Sequence, residues 1–117
     1  MLKLKRVYEE AESSDGTRFL VERLWPRGMK KEKLTMEAWL KDVAPSDDLR
    51  RWFGHDPLKW SEFQKRYRAE LTKNPKAWEP ILKASERGTV TLLYSAHDEE
   101  HNNALVLKAF LEEHTRK

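Results

Sequence analysis

The sequence predicts an α/β domain with a small, mostly parallel sheet flanked by helices. Three observations predict it. Residues 89–94 (TVTLLY) are a continuous apolar, β-rich run, the pattern of a strand buried on both faces. Helical patterns stand before and after that run, and two strand-like stretches precede them all. The 117 residues suffice for one core and are too few for two, so a single domain spans 1–117.

The elements follow in order. Leu2 and Leu4 alternate with Lys3 and Lys5, which is strand periodicity. Residues 9–16 (EEAESSDG) are acidic, polar and closed by Asp-Gly, a loop by composition. Thr17 to Leu24 reads as the second strand, and Met29 to Lys33 as a basic, solvated stretch. Thr35 is placed to cap a helix reaching about Asp42, with Leu34 and Trp39 as its hydrophobic staple. Ser46 caps a short helix that carries acids in its first turn and ends at Gly54. Asp56 caps the next, with Pro57 at its first position. Trp60, Phe63, Tyr67 and Leu71 give that helix a buried stripe.

Asn74-Pro75 starts a further helix that Gly88 ends. Pro80 removes one of its internal hydrogen bonds, so either the helix kinks or its regular part begins near Glu79. After the buried strand, Asp98 opens a last helix to about Glu113. Its apolar positions, from Ala104 to Leu111, cover more than one stripe, which suits deep packing or a homo-oligomer interface.

Composition bounds the function classes. Lys and Arg number 23 against 20 Asp and Glu, a net charge of +3 that favours an acidic partner only mildly. The absence of cysteine excludes disulfides, thiol chemistry and cysteine-based metal sites, and makes the cytoplasm the default location. No apolar run approaches the roughly 18 residues of a membrane span, and the N-terminus alternates instead of forming a signal block, so no membrane partner is expected.

The most informative stretch is Val21 to Gly28 (VERLWPRG), where a strand-like run leads into two arginines bracketing Trp-Pro. Arg23 and Arg27 offer planar forks of donors that fit phosphate or carboxylate. Ion pairs with Glu22, Asp98 or Glu99 would also occupy them. Trp25 offers a stacking face or a core anchor, Pro26 stiffens the turn, and Gly28 permits a positive φ or a close ligand. In open α/β sheets ligands gather at the carboxyl ends of the strands. That rule sets this stretch beside Tyr94, Ser95, Asp98, His101 and Asn102, with Trp52 and His55 as a third wall.

Each of those has a plain structural alternative. Trp52 suits the core better than a stacking platform, Asp56 is simplest as a cap, and His55 as a turn residue. His97 and His101 are four apart, and Asp98 or His55 would make a third ligand. Yet His97 precedes the helix and the His-Glu-x-x-His motif is missing, so neither metal nor cofactor is expected. Ser95 with His101 as base would be a nucleophile on a weak signal. There is no Walker loop, Gly-x-Gly-x-x-Gly or Gly-x-Ser-x-Gly.

The runs LKRVYE at 4–9, LVERLWPRG at 20–28, WFGHDP at 52–57, RYRAEL at 66–71 and LLYSAHDEEHNNA at 92–104 resemble the YeaO-like branch of the family called domain of unknown function 488. The resemblance covers nearly the whole chain. It implies a small prokaryotic cytosolic protein with a Rossmann-like sandwich fold and brings no established activity. Broader members resemble this chain in an arginine at the position of Arg23. They carry an acidic-His-Cys-His-Arg type run where this chain has Asp98 and His101 followed by Asn102, Asn103 and Ala104. Cysteine chemistry imagined for those relatives therefore has no counterpart here. YeaO-like sequences also tend to carry Lys at the position of His97, and Asn-His at Asn102-Asn103.

The expectation is a small enzyme or binding domain for a phosphate-bearing ligand, a nucleotide or nucleic acid. Arg23, Asp98 and His101 would be catalytic. Trp25, Arg27, Gly28, Trp52, His55, Tyr94, Ser95 and Asn102 would bind the ligand. The alternative is a non-catalytic nucleic-acid-binding or protein-interaction module, suggested by Lys65, Arg66 and Arg68 on one helix.

Overall fold

The computed structural model describes residues 1–115. Among them, β1 (Leu2–Arg6), β2 (Thr17–Leu20), β3 (Ala38–Trp39) and β4 (Val90–Tyr94) form one parallel sheet in the order β1-β4-β2-β3. Helices α1 (Asp47–Phe53), α2 (Trp60–Thr72), α3 (Pro75–Arg87) and α4 (Asn103–Thr115) flank it. The fold is thus parallel α/β. β4 is central and buried along its length, as its apolar run requires.

Alternation sorts the strand residues between two faces. Leu2, Phe19, Val21, Val90, Leu92 and Tyr94 share a core with the buried residues of all four helices. Leu20 and Leu93 point the other way and meet Val7, Leu34, Trp25, Met29, Met36 and Trp39. The helices therefore cover one face, and the connection between β2 and β3 covers the other. At the amino edge Asp15 is buried between Lys5 and Arg18. Burial alone would raise its carboxyl, yet the Glu12 N–H and the two cations outweigh that and hold it at about 2.

Three expectations need correction. No helix forms over 35–42. The Glu37 N–H donates to Arg18 O and the Leu40 N–H to Leu20 O, so this backbone joins β2 as a two-residue edge strand and continues into a 3-10 turn, Lys41–Val43. Leu34 and Trp39, the intended staple, pack instead into the second core. β2 ends at Leu20, four residues short of Leu24, because the chain turns away to cover that core. The last helix begins at Asn103, not Asp98; the Asp98 carboxylate is taken by the Glu100 and His101 N–H groups, and Asn102 is the cap, accepting from Leu105 N–H at 3.0 Å. α3 starts at Pro75 with Asn74 at its cap, as Asn74-Pro75 indicates, and holds Pro80 within it.

Asp56 and Pro57 open a 3-10 turn, Pro57–Lys59, and α2 follows from Trp60 with Lys59 at its cap. Ser46 caps α1 through Leu49 N–H, and Gly54 closes it in the left-handed region. The α2 stripe is buried at Phe63, Tyr67 and Leu71. On α4, Ala104, Val106, Leu107, Phe110 and Leu111 are consumed by the chain's own core, so deep packing accounts for them.

Candidate functional site

The connection leaving β2 runs toward β3, whereas the one leaving β4 runs to α4, which packs back over β1 and β4. Adjacent parallel strands whose chains depart in opposite directions open a crevice at their carboxyl ends. Here the crevice floor is polar. Glu22 follows β2, and its Oε1 lies 3.4 Å from the Ser95 hydroxyl, just beyond β4. Its Oε2 is buried with no hydrogen-bond partner. Burial pushes the Glu22 carboxyl up to about 7, against the opposing pull of the Ser95 N–H and hydroxyl and the charge of Arg50. Asn103 donates to Val21 O at 2.8 Å, and the buried Tyr67 hydroxyl donates to Val43 O.

Arg23 is built into this floor. Its Nη2 donates to Ala44 O at 3.0 Å and its Nε to Pro45 O at 3.3 Å, with Asp42 3.8 Å from Nη1. The guanidinium clamps the chain after β3 more than it faces solvent. Arg27 is the opposite case. It is exposed, and its guanidinium has no hydrogen bond or ion pair among the described residues. The loop beneath it is fixed: Met29 N–H donates to Pro26 O, Trp25 Nε1 to Met29 O at 2.6 Å, and the Tyr8 hydroxyl to Arg27 O at 2.8 Å. Gly28 at φ 75° supplies the positive angle that the third position of a type II turn needs. Arg6 lies over the Tyr8 ring, 4.9 Å from its centroid.

Trp25 stands edge-on to Trp39, ring centroids 5.3 Å apart, in the second core. Trp52 lies under Arg66 at 4.1 Å and Lys59 at 5.2 Å. His55 is exposed at φ 57° in the turn after Gly54. Tyr94 is buried, and burial raises its hydroxyl pKa. Asn102 is buried as the α4 cap, its amide donating to Asp98 O. Asp98 Oδ2 and His101 Nδ1 are 2.9 Å apart, and the His101 ring meets Trp60 edge to face. Hydrogen bonds from the Glu100 N–H, first, and from His101 lower the Asp98 pKa.

The structure thus brings Arg23 and Ser95 together with Glu22, Arg50, Tyr67 and Asn103, four residues that the sequence reading did not place among the ligand-binding or catalytic ones. Glu22 carried a signal: a carboxylate directly after an apolar strand run, at the edge where ligands gather. Arg50 and Tyr67 looked like ordinary helix-face and core positions. Asp98 and His101 form an oriented acid–imidazole pair, yet no hydrogen bond joins Ser95 to His101 among the described residues. The 3.4 Å contact of Ser95 with Glu22 is too long for an activated hydroxyl. His97 Nδ1 lies 3.4 Å from Arg6 Nη2, and among the described residues no group of three His, Asp or Glu is placed to hold a metal. Nor is any described helix long and apolar enough to cross a membrane.

A family model described as "Inactive DUF488-N3 subclade" matches residues 1–117. The chain belongs to this family. It is 41% identical over 110 residues to the uncharacterized protein YeaO of Escherichia coli K12, covering 94% of this chain and 96% of that one. It is 37% identical over 110 residues to the uncharacterized protein Rv3073c of Mycobacterium tuberculosis H37Rv, covering 94% and 92% of the two chains. No solved structure matches it.

Proposed function

We propose that this protein is a binding domain for a phosphate-bearing ligand, a nucleotide or nucleic acid, held at the carboxyl edge of the sheet without being turned over. The observation that carries this reading is Arg27: a free, exposed guanidinium on a turn fixed by Tyr8, Trp25 and Gly28. A donor fork held on a rigid loop loses little entropy when it meets a phosphate. Tyr8 and Arg6 beside it add a half-exposed aromatic ring and a second cation. Arg23 supports the site by holding the chain after β3. The word "inactive" in the family description, and the Trp60 ring that, among the described residues, His101 meets where a nucleophile would be needed, favour binding over catalysis. The cysteine-free composition supports a cytoplasmic location.

The test is titration of the wild-type chain and Arg27→Ala with short single-stranded oligonucleotides and nucleoside triphosphates, read by tryptophan fluorescence. Wild type is expected to bind, and Arg27→Ala to bind at least about tenfold more weakly with an unchanged melting temperature. No response from wild type, or equal binding by the variant, would sink the reading. Product formation from any bound ligand would overturn its non-catalytic part.

Within this reading, a nucleic acid is favoured over a free nucleotide at the Arg27 loop by the location of the exposed charge. Of Lys65, Arg66 and Arg68, expected to supply a basic helix face, Arg66 and Arg68 are paired with Glu62 and Glu113, and Lys65 is left without an ion pair among the described residues. In contrast, Arg27, Lys30, Lys31 and Lys33 are exposed and make no ion pair among the described residues.

A further inference from the structure

An open groove of about 330 Å³ lies at the carboxyl end of β3, between the Lys41–Val43 turn and the first turns of α3. Trp39, Lys41, Asp42, Lys76, Ala77 and Pro80 are among the residues that line it. We propose that this groove is a nucleotide subsite, taking a nucleobase against Trp39 and Pro80 and its phosphate on the ammonium groups of Lys41 and Lys76. The proposal rests on the reading of the sheet edge as a phosphate-binding edge, and it names the chemical class and a place for the ligand.

Charge is the first argument. Lys41 and Lys76 are both exposed, and neither makes an ion pair among the described residues. Asp42, the acid in the lining, lies 3.8 Å from the Arg23 guanidinium, so its charge is already answered. Two cations are left over, and they call for an anion. The second argument is the ring. Trp39 is fixed by its Nε1 donating to Glu22 O at 2.6 Å and by its edge contact with Trp25. In the free protein the Lys41 ammonium sits 4.1 Å from the Trp39 ring centroid. An exposed cation–π contact is weak, and a phosphate offers the same ammonium a charge-assisted partner. Lys41 therefore moves from ring to phosphate and frees the ring face for a base.

The third argument is Pro80. It is exposed and part of the lining, so its ring offers a base an apolar surface in the same groove as Trp39. Size agrees, since about 330 Å³ is at the lower end of small-molecule sites and suits one nucleotide.

The experiment is a titration of the ¹⁵N-labelled chain with adenosine 5′-monophosphate, following the tryptophan indole N–H signals, with adenosine and inorganic phosphate as separate arms. The monophosphate is expected to shift the Trp39 signal and to bind at least about tenfold more tightly than either fragment. Lys41→Ala/Lys76→Ala should weaken that binding at least about tenfold. Both lysines are exposed, and an unchanged melting temperature verifies that the double variant folds. The groove proposal is overturned if the monophosphate binds no better than phosphate, or if the double variant binds as wild type does. If the monophosphate fails while oligonucleotides still bind through Arg27, the groove falls and the edge reading stands. If no phosphate-bearing ligand binds at all, both fall.

Discussion

Glu22 shows how one side chain ties the fold to the pH of its surroundings. Its carboxyl follows β2 directly, with Oε2 buried and unpartnered and Oε1 at the long contact with Ser95. Burial disfavours the charged form, so its pKa rises from the ordinary 4.5 of a glutamate to about 7. In the unfolded chain the group ionises near 4.5, so between there and about 7 the folded state binds the extra proton. Stability linked to Glu22 is therefore fully present below about 4.5, declines as pH rises through about 7, and is flat above. Glu22→Gln keeps the shape and removes the charge. The variant should be more stable than wild type at pH 8, by something on the order of 2 kcal/mol, with the difference shrinking toward pH 5. Urea unfolding at pH 5 and pH 8 measures it, and an equal difference at both values would refute the account.

At the scale of elements, the legible parts were those whose signals are local. Ser46 and Gly54 bound α1, the 63–67–71 stripe buries α2, and TVTLLY makes β4, each by contacts within a few residues. The segment 35–42 was misread because its pattern suits a staple but its fate is set by β2, nineteen or so residues earlier in the chain: Leu20 O takes the Leu40 N–H. Nothing in a helical periodicity records such a bond. The site was half legible for the same reason. Arg23 and Ser95 follow strands and were found by the edge rule, whereas Arg50, Tyr67 and Asn103 arrive on three different helices.

The start of α4 separates a structural role from a binding one. Asn102 accepts from Leu105 N–H and donates to Asp98 O while 2% exposed. Asn102→Ala removes both bonds and should lower unfolding free energy by about 1–2 kcal/mol while leaving oligonucleotide affinity unchanged. Equal stability of variant and wild type would show that the cap contributes nothing.

Over the whole molecule, the net charge of +3 says less than its distribution. On the helices, five cations are answered by acids, Arg50 by Asp47, Arg51 by Asp48, Arg66 by Glu62, Arg68 by Glu113 and Lys108 by Glu112, while Lys65 and Lys76 stand apart without an ion pair among the described residues. On the loop covering the second face, Lys30, Lys31 and Lys33 have only Glu32 among them and pair with no acid among the described residues. Surface ion pairs contribute little to stability, so leaving these lysines unpaired costs the fold little. It does leave a concentrated field beside Arg27, and a polyanion would feel it over about 10 Å at moderate salt. Replacing all three lysines by glutamate takes the net charge from +3 to −3. If a single strand lies along this loop, the variant loses up to three phosphate contacts. The slope of log affinity against log salt should then flatten by about 2, since each contact contributes roughly 0.7 for single strands. Stability should change by less than about 0.5 kcal/mol, because the side chains are exposed. Fluorescence anisotropy of a labelled oligonucleotide across a salt series reads the slope. An unchanged slope with an intact fold would confine the phosphate contacts to Arg27 and the edge, and would remove the loop from the binding surface.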